Sequence, residues 1–184
     1  GAASPKAFQT IVYEAAQAHP RDLPWRRTQD PYAILVSETM LQQTQVSRVV
    51  PKFLAWMNRF PCVEALASAS QTEVLALWSG LGYNRRALAL KATATAILKD
   101  HGGSLPREEA VLRTLPGVGV YTSRAVFAFA FDIPTVFLET NIRTVYIKHF
   151  FEGMGKVADS LLYPIAATCL DRSSPARWHN ALMD

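Results

Sequence analysis

Cysteine is scarce in this chain: Cys62 and Cys169 are the two among 184 residues. They lie far apart, each inside an apolar pattern, and both are expected as small buried hydrophobes. Two thiols fall short of the four ligands that an iron–sulfur cluster needs. Histidine is also sparse, with four residues. His101, His149 and His179 stand singly and are expected in solvent or at helix ends. Neither an HExxH motif nor paired cysteines occur, so no catalytic metal is expected. No apolar run approaches the length of a membrane span, and no signal-peptide pattern opens the chain. A soluble, reducing compartment follows as the expectation, the cytoplasm by default. Strand-like alternation, internal repeats and low-complexity tracts are absent as well. Gly1-Ala2-Ala3-Ser4 is set aside from fold reasoning.

What is present is apolar and helical in pattern. Apolar residues make up 49% of the sequence, enough for one ordinary domain or two small lobes, folding alone as a monomer. The formal charge is +4, with Arg and Lys spread along the chain. That permits a nucleic-acid partner and argues no further.

Phe8, Ile11, Val12 and Ala15 are spaced for a first amphipathic helix over residues 7–18, which Pro20 ends. Trp25 is expected as an anchor under an irregular segment. Asp30 and Pro31 read as an N-cap and first position, and residues 32–41 are apolar nearly all round, the mark of a buried helix. Glu38 interrupts that pattern. A charge there needs a reason, either a structural pairing or cap, or the work of a catalytic acid. Gln42-Gln43-Thr44-Gln45 then forms a polar row, either a solvated junction or amides able to wedge into a duplex where a nucleotide has left. Residues 46–60 make the next helix, and Cys62 to Trp78 holds two short ones, the second opening near Ser70. The Gly-rich turn Ser79 to Asn84 presents Tyr83, either packed in the core or stacked on a base. Arg85 and Arg86 follow at the start of a helix to Asp100 and suit phosphate contacts.

The stretch Leu112 to Asn141 organises the rest. Pro116-Gly117-Val118-Gly119 is a hairpin whose glycines allow a turn no Cβ would tolerate and let backbone N–H groups approach a phosphate. A buried helix over residues 121–131 follows, then a turn, then Glu139 just before another helix. Asn141 reads equally well as that helix's N-cap. Further helices occupy residues 141–151 and about 159–170, with a last one from about 174. The fold class expected is all-α.

On these residues the chain resembles the helix-hairpin-helix DNA glycosylase superfamily: LPGVGVYT followed by the acid in FLETN carries the likeness. LPWRRTQDPYAILVSETMLQQTQVSRV and LWSGLGYNRRALAL resemble its adenine glycosylase (MutY) branch, and the similarity runs from Leu23 to Asp184. The resemblance implies a two-lobed fold, residues 30–123 against 5–29 with 124–184, and an active site in the inter-lobe cleft. It implies a monofunctional glycosylase of base-excision repair that flips a mismatched adenine, opposite G or 8-oxoguanine, out of double-stranded DNA. A lesion-binding protein without catalysis, or a glycosylase for U or T opposite G, stand as alternatives. In a bacterium the enzyme would be associated with the nucleoid.

The chemistry needs a proton for the departing base and negative charge beside an oxocarbenium-like sugar. Burial fits Glu38 as the acid. A helix N-terminus fits Glu139 as the stabilising anion or transient nucleophile. The family has Asp at the position of Glu139. Tyr121 takes the place of the Lys that makes bifunctional relatives lyases, because only an amine forms the Schiff base. The resemblance further assigns Asn141 to orienting the carboxylate, and Gln43 to the wedge. DNA contacts fall to Gln42, Gln43, Thr44, Tyr83, Arg85, Arg86, Pro116, Gly117, Val118, Gly119 and Thr122. The family residue after Tyr83 is usually a second Tyr, and here it is Asn84. No cofactor is required, although such hairpins can hold a monovalent cation through backbone carbonyls. The cluster that relatives carry lies beyond the last helix of this region, so the chain either stops before it or belongs to a cluster-less branch. The resemblance likewise ends before the domain that reads 8-oxoguanine.

Overall fold

The computed structural model describes residues 4–184, so Gly1, Ala2 and Ala3 lie outside it. The described residues form eleven α-helices and one 3-10 turn, with no strand among them. In chain order these are α1 (Pro5–Ala18), the turn Pro24–Arg26, α2 (Pro31–Leu41), α3 (Val46–Arg59), α4 (Val63–Ser68), α5 (Gln71–Trp78), α6 (Arg85–His101), α7 (Glu109–Leu112), α8 (Val120–Phe131), α9 (Thr140–Phe150), α10 (Asp159–Cys169) and α11 (Pro175–Met183). Two compact units emerge: Leu23–Val126, and residues 4–22 together with Phe127–Asp184. None of the described helices is long and apolar enough to cross a membrane.

The first unit is built round α2. Asp30 accepts a hydrogen bond from the Tyr32 N–H at 3.1 Å and Pro31 occupies the first helical position, so the start is set locally. Every residue from Tyr32 to Met40 is buried, which is why the pattern shows no polar face. Around it, the Trp56 and Trp78 rings meet edge to face at 5.6 Å. The Tyr32 hydroxyl donates to the Phe60 carbonyl at 2.7 Å and accepts from the Trp56 indole at 3.2 Å. The buried polar tips are thus satisfied inside an apolar layer. Trp25 is buried edge to face against Phe53 at 5.5 Å. It therefore draws the segment from Leu23 into this unit. A reciprocal capping box between Ser70 and Glu73 opens α5. Helix α6 buries Ala87, Leu90, Ala94 and Ile97, and stops at Gly102, where φ is +60°.

Cys62 corrects the sequence expectation. It is exposed, because the flanking Phe60 and Val63 take the core positions and Cys62 sits extended at the N-cap of α4. Cys169 is buried as expected.

The second unit centres on Phe8, whose ring lies 5.5 Å from Tyr146, 4.6 Å from His149, 4.9 Å from Phe150 and 6.0 Å from Trp178. Ser4, set aside in the sequence reading, caps α1 by accepting from the Ala7 N–H at 3.2 Å. Of the four apolar residues expected on the inner face of α1, Phe8 and Val12 are buried, while Ile11 and Ala15 are exposed.

His179 is another correction. It is buried, stacked on Phe137 at 4.0 Å, with Nε2 2.8 Å from the Thr135 carbonyl oxygen. Nε2 therefore carries the hydrogen and donates, while buried Nδ1 has no hydrogen-bond partner. Burial pushes the imidazole pKa down from 6.5 to about 4. The ring is neutral in the fold, whereas the unfolded chain takes up a proton below pH 6.5. Its contribution is thus complete above that pH and is lost as the pH falls towards 4, amounting to about 3 kcal/mol at the end of the window. Denaturant midpoints recorded between pH 7 and 4 are expected to fall accordingly. In His179→Gln, which keeps a donor for Thr135 and loses the titration, the slope should largely disappear. An unchanged slope would assign the acid sensitivity elsewhere.

Candidate active site and nucleic-acid interface

Glu38 projects from the buried helix α2 and is 6% exposed. From the first turn of α8, the Tyr121 hydroxyl donates to Glu38 Oε2 at 3.1 Å. At the C-cap of α2, the Gln42 amide donates to the Thr122 hydroxyl at 3.2 Å. Two adjacent residue pairs therefore stitch the end of α2 to the start of α8. Both sequence-selected residues Glu38 and Tyr121 are brought together here, across 83 positions of chain. A carboxylate so deeply buried, and reached by a phenol, suits proton transfer better than surface pairing.

The hairpin joins α7 to α8. Leu115 and Val118 are buried beneath it, while Pro116, Gly117 and Gly119 are exposed. Gly117 has φ +73°, and a Cβ there would lie 3.0 Å from the Ala89 Cβ, so both backbone angle and space demand glycine. Gly119 differs: a Cβ there meets nothing within 4 Å, and its absence leaves bare backbone in the open. The Thr93 hydroxyl, from a buried register of α6, donates to the Pro116 carbonyl at 2.6 Å and pins the turn. This polar residue at a core position was missed in the sequence reading, although the α6 periodicity marks it. The exposed residues Gly119 and Val120 at the start of a twelve-residue helix make a surface suited to phosphate.

Beside the hairpin lies a cavity of about 440 Å³, lined by Gln42, Gln43, Tyr83 and Arg85 among others, with Leu35 and Val118 below. Gln43 is exposed and Tyr83 is 59% exposed, which decides between core and surface for the tyrosine. Both have left-handed backbones, φ +56° for Gln43 and +49° for Tyr83. Such a conformation costs a non-glycine residue roughly 1 kcal/mol or more and persists only where neighbours enforce it.

Four residues expected on DNA, Gln42, Thr44, Arg86 and Thr122, have partners within the protein. Thr122 is 2% exposed and its hydroxyl is taken by Gln42. Arg86, unlike exposed Arg85, turns its guanidinium inward. Nη1 donates to the carbonyls of Thr39 at 2.7 Å, Met40 at 3.3 Å and Gln42 at 2.6 Å. Nη2 donates to Thr44 Oγ1 at 3.3 Å, the Leu81 carbonyl at 3.3 Å and the Gly82 carbonyl at 3.2 Å. Thr44 is correspondingly half-buried in the same network. A cation at the end of α2 complements the helix dipole and satisfies carbonyls that the helix leaves unpaired.

In the second unit, Glu139 caps α9. Its carboxylate oxygens accept from the N–H groups of Asn141 at 2.8 Å and Ile142 at 3.3 Å. The helix N-terminus thus holds an anion in a fixed orientation. Asn141 is therefore no N-cap: it is the second residue of α9, its side chain exposed and its backbone N–H on Glu139. Arg143, one turn further, pairs with Asp159.

The model of the HhH-GPD superfamily of base excision DNA repair proteins matches residues 36–159, a span holding Glu38, the hairpin and Glu139. The chain belongs to that superfamily. Among its HhH-GPD relatives, adenine DNA glycosylase of Mycolicibacterium smegmatis is 48% identical over 129 residues, which cover 70% of this chain and 44% of the relative. Human adenine DNA glycosylase is 35% identical over 190 residues, covering 97% of this chain and 35% of the relative. The chain thus spans less than half the length of these two curated HhH-GPD relatives. A thermostable thymine-DNA glycosylase of solved structure matches with a TM-score of 0.85 at 29% identity, covering 98% of this chain and 84% of that one. Endonuclease III in a non-covalent DNA complex shares the HhH-GPD fold, at 16% identity and TM-score 0.80, covering 98% of this chain and 85% of that one.

Proposed function

We propose that the chain is the catalytic part of a monofunctional adenine DNA glycosylase, acting on a mismatched adenine in duplex DNA. The observation that carries the reading is the buried Glu38 carboxylate held by the Tyr121 hydroxyl, in a chain similar to adenine DNA glycosylases from bacteria to mammals. Glu38 gives its proton to the departing adenine as the bond to C1′ breaks. Glu139, held by the start of α9, offsets the positive charge that develops on the sugar, and water adds to C1′, its released proton passing back to the Glu38 carboxylate. Gln43 and Tyr83 meet the duplex at the vacated position, and the bare turn from Pro116 to Gly119 grips the backbone.

Two observations favour other readings enough to keep them as arms of the test. Glu139 is longer by a methylene than the aspartate the resemblance leads one to expect, and its oxygens already serve the helix. That suits a binder without excision. The likeness to a thymine-DNA glycosylase suits a different target base. Single-turnover incubation with duplexes carrying A opposite G, A opposite 8-oxoguanine, T opposite G and U opposite G separates them. Release of adenine alone supports the proposal, release of thymine or uracil alone replaces it, and tight binding with no release supports the binder.

Lyase activity is not expected. The residue reaching Glu38 from the first turn of α8 is a phenol rather than an amine, and Lys91 spends its ammonium on the Ala67 carbonyl at 2.7 Å. Borohydride treatment during incubation with abasic DNA should leave no covalent protein–DNA adduct. Strong trapping would overturn the monofunctional assignment.

A further inference from the structure

The peptide units just before the left-handed residues Gln43 and Tyr83 share one side-chain partner. The carbonyl of Gln42 precedes Gln43, the carbonyl of Gly82 precedes Tyr83, and both accept from the Arg86 guanidinium, from Nη1 at 2.6 Å and Nη2 at 3.2 Å. Fixing the carbonyl before a residue fixes the peptide plane that its φ turns about. The same guanidinium lies 5.1 Å from the Trp78 ring centroid and 5.7 Å from that of Tyr83, so it also touches the ring that it places. The loop before Tyr83 has further anchors, the Trp78 indole on the Gly82 carbonyl at 2.9 Å and the Thr44 hydroxyl on the Leu81 carbonyl at 3.4 Å, whereas the shortest bond on the Gln42 carbonyl is that of Arg86.

We propose that Arg86 is a positioning residue: it clamps the 42–44 and 81–83 loops together and so sets the poses in which Gln43 and Tyr83 meet the duplex. The inference rests on the glycosylase reading for what those two residues do, and on geometry alone for the clamp. A planar fork with donors on both nitrogens spans the two loops. An ammonium is a single point and serves one loop at a time. Arg86 therefore acts through Gln43 and Tyr83 and touches neither the reacting atoms nor, with both Nη donors engaged and Nε buried, a phosphate.

The test compares Arg86→Lys with the parent on two duplexes, one with adenine opposite guanine and one with the same adenine already unpaired in a single-nucleotide bulge. Loss of positioning should lower the ratio of single-turnover rates, paired over bulged, by more than about tenfold, since misplacement by about 1 Å costs on the order of a hundredfold. A purely structural role reduces the active fraction, scales both rates alike and leaves the ratio unchanged, which would overturn the proposal. Hydrogen exchange of the free protein is read in parallel on peptides covering residues 41–45 and 81–84. Faster exchange in Arg86→Lys supports the clamp, and unchanged exchange overturns it. Should the parent release no adenine from either duplex, the glycosylase reading fails and the exchange result alone decides the clamp. Arg86→Gln stands in if Arg86→Lys does not fold.

Discussion

Glu38→Gln is expected to slow adenine release by about 10²- to 10⁴-fold, the usual worth of a positioned general acid, while leaving duplex affinity nearly unchanged. The reason lies in what the substitution keeps. A glutamine fills the same buried space in α2, and its carbonyl oxygen still accepts from the Tyr121 hydroxyl, so the link to α8 survives. What disappears is the capacity to hand over a proton. Single-turnover rates and equilibrium binding, taken on one duplex, separate the two effects. Excision within tenfold of the parent would remove Glu38 from the acid role and leave its burial to a structural explanation.

Glu139→Gln should also be slow, by about 10²- to 10³-fold, if Glu139 has its proposed role of setting negative charge against a developing cation. Here the fold supplies an internal control. The amide oxygen still accepts from the Asn141 N–H at the start of α9, so the cap is largely kept and the stability loss stays under about 1 kcal/mol. A large rate loss with an almost unmoved melting temperature is the expected pair of results. A rate that falls only as far as stability falls would make Glu139 a helix cap and nothing more. Glu139→Asp addresses the extra methylene directly: a variant faster than the parent would show that the glutamate sits too far forward.

The parts of this molecule that were readable in the sequence are those fixed by neighbours in the chain. The Asp30–Pro31 start of α2, the Ser70–Glu73 capping box and the glycine-dependent turn at Gly117 each depend on a few consecutive residues. The largely apolar pattern of α2 made the charge at Glu38 conspicuous for the same reason. What escaped depends on partners far along the chain. Cys62 looked apolar by its neighbours and is exposed because those neighbours fill the core first. His179 looked like a surface residue until the segment at Thr135 and Phe137 closed over it. Arg86 carried the same local signature as Arg85, an arginine after a glycine turn, and the carbonyls at the end of α2, more than forty residues earlier, are partners that the local sequence does not reveal. Asn141 and Glu139 exchanged capping roles for a subtler reason, since both are competent caps and the helix begins one residue earlier than its polar pattern suggests.

The most direct measurement is the chromatographic detection of free adenine from a duplex with adenine opposite guanine, with enzyme in excess so that a single turnover is followed. Release of one adenine per duplex, leaving an intact strand with an abasic site, is expected. Tight binding of that duplex with every adenine still attached would contradict the account.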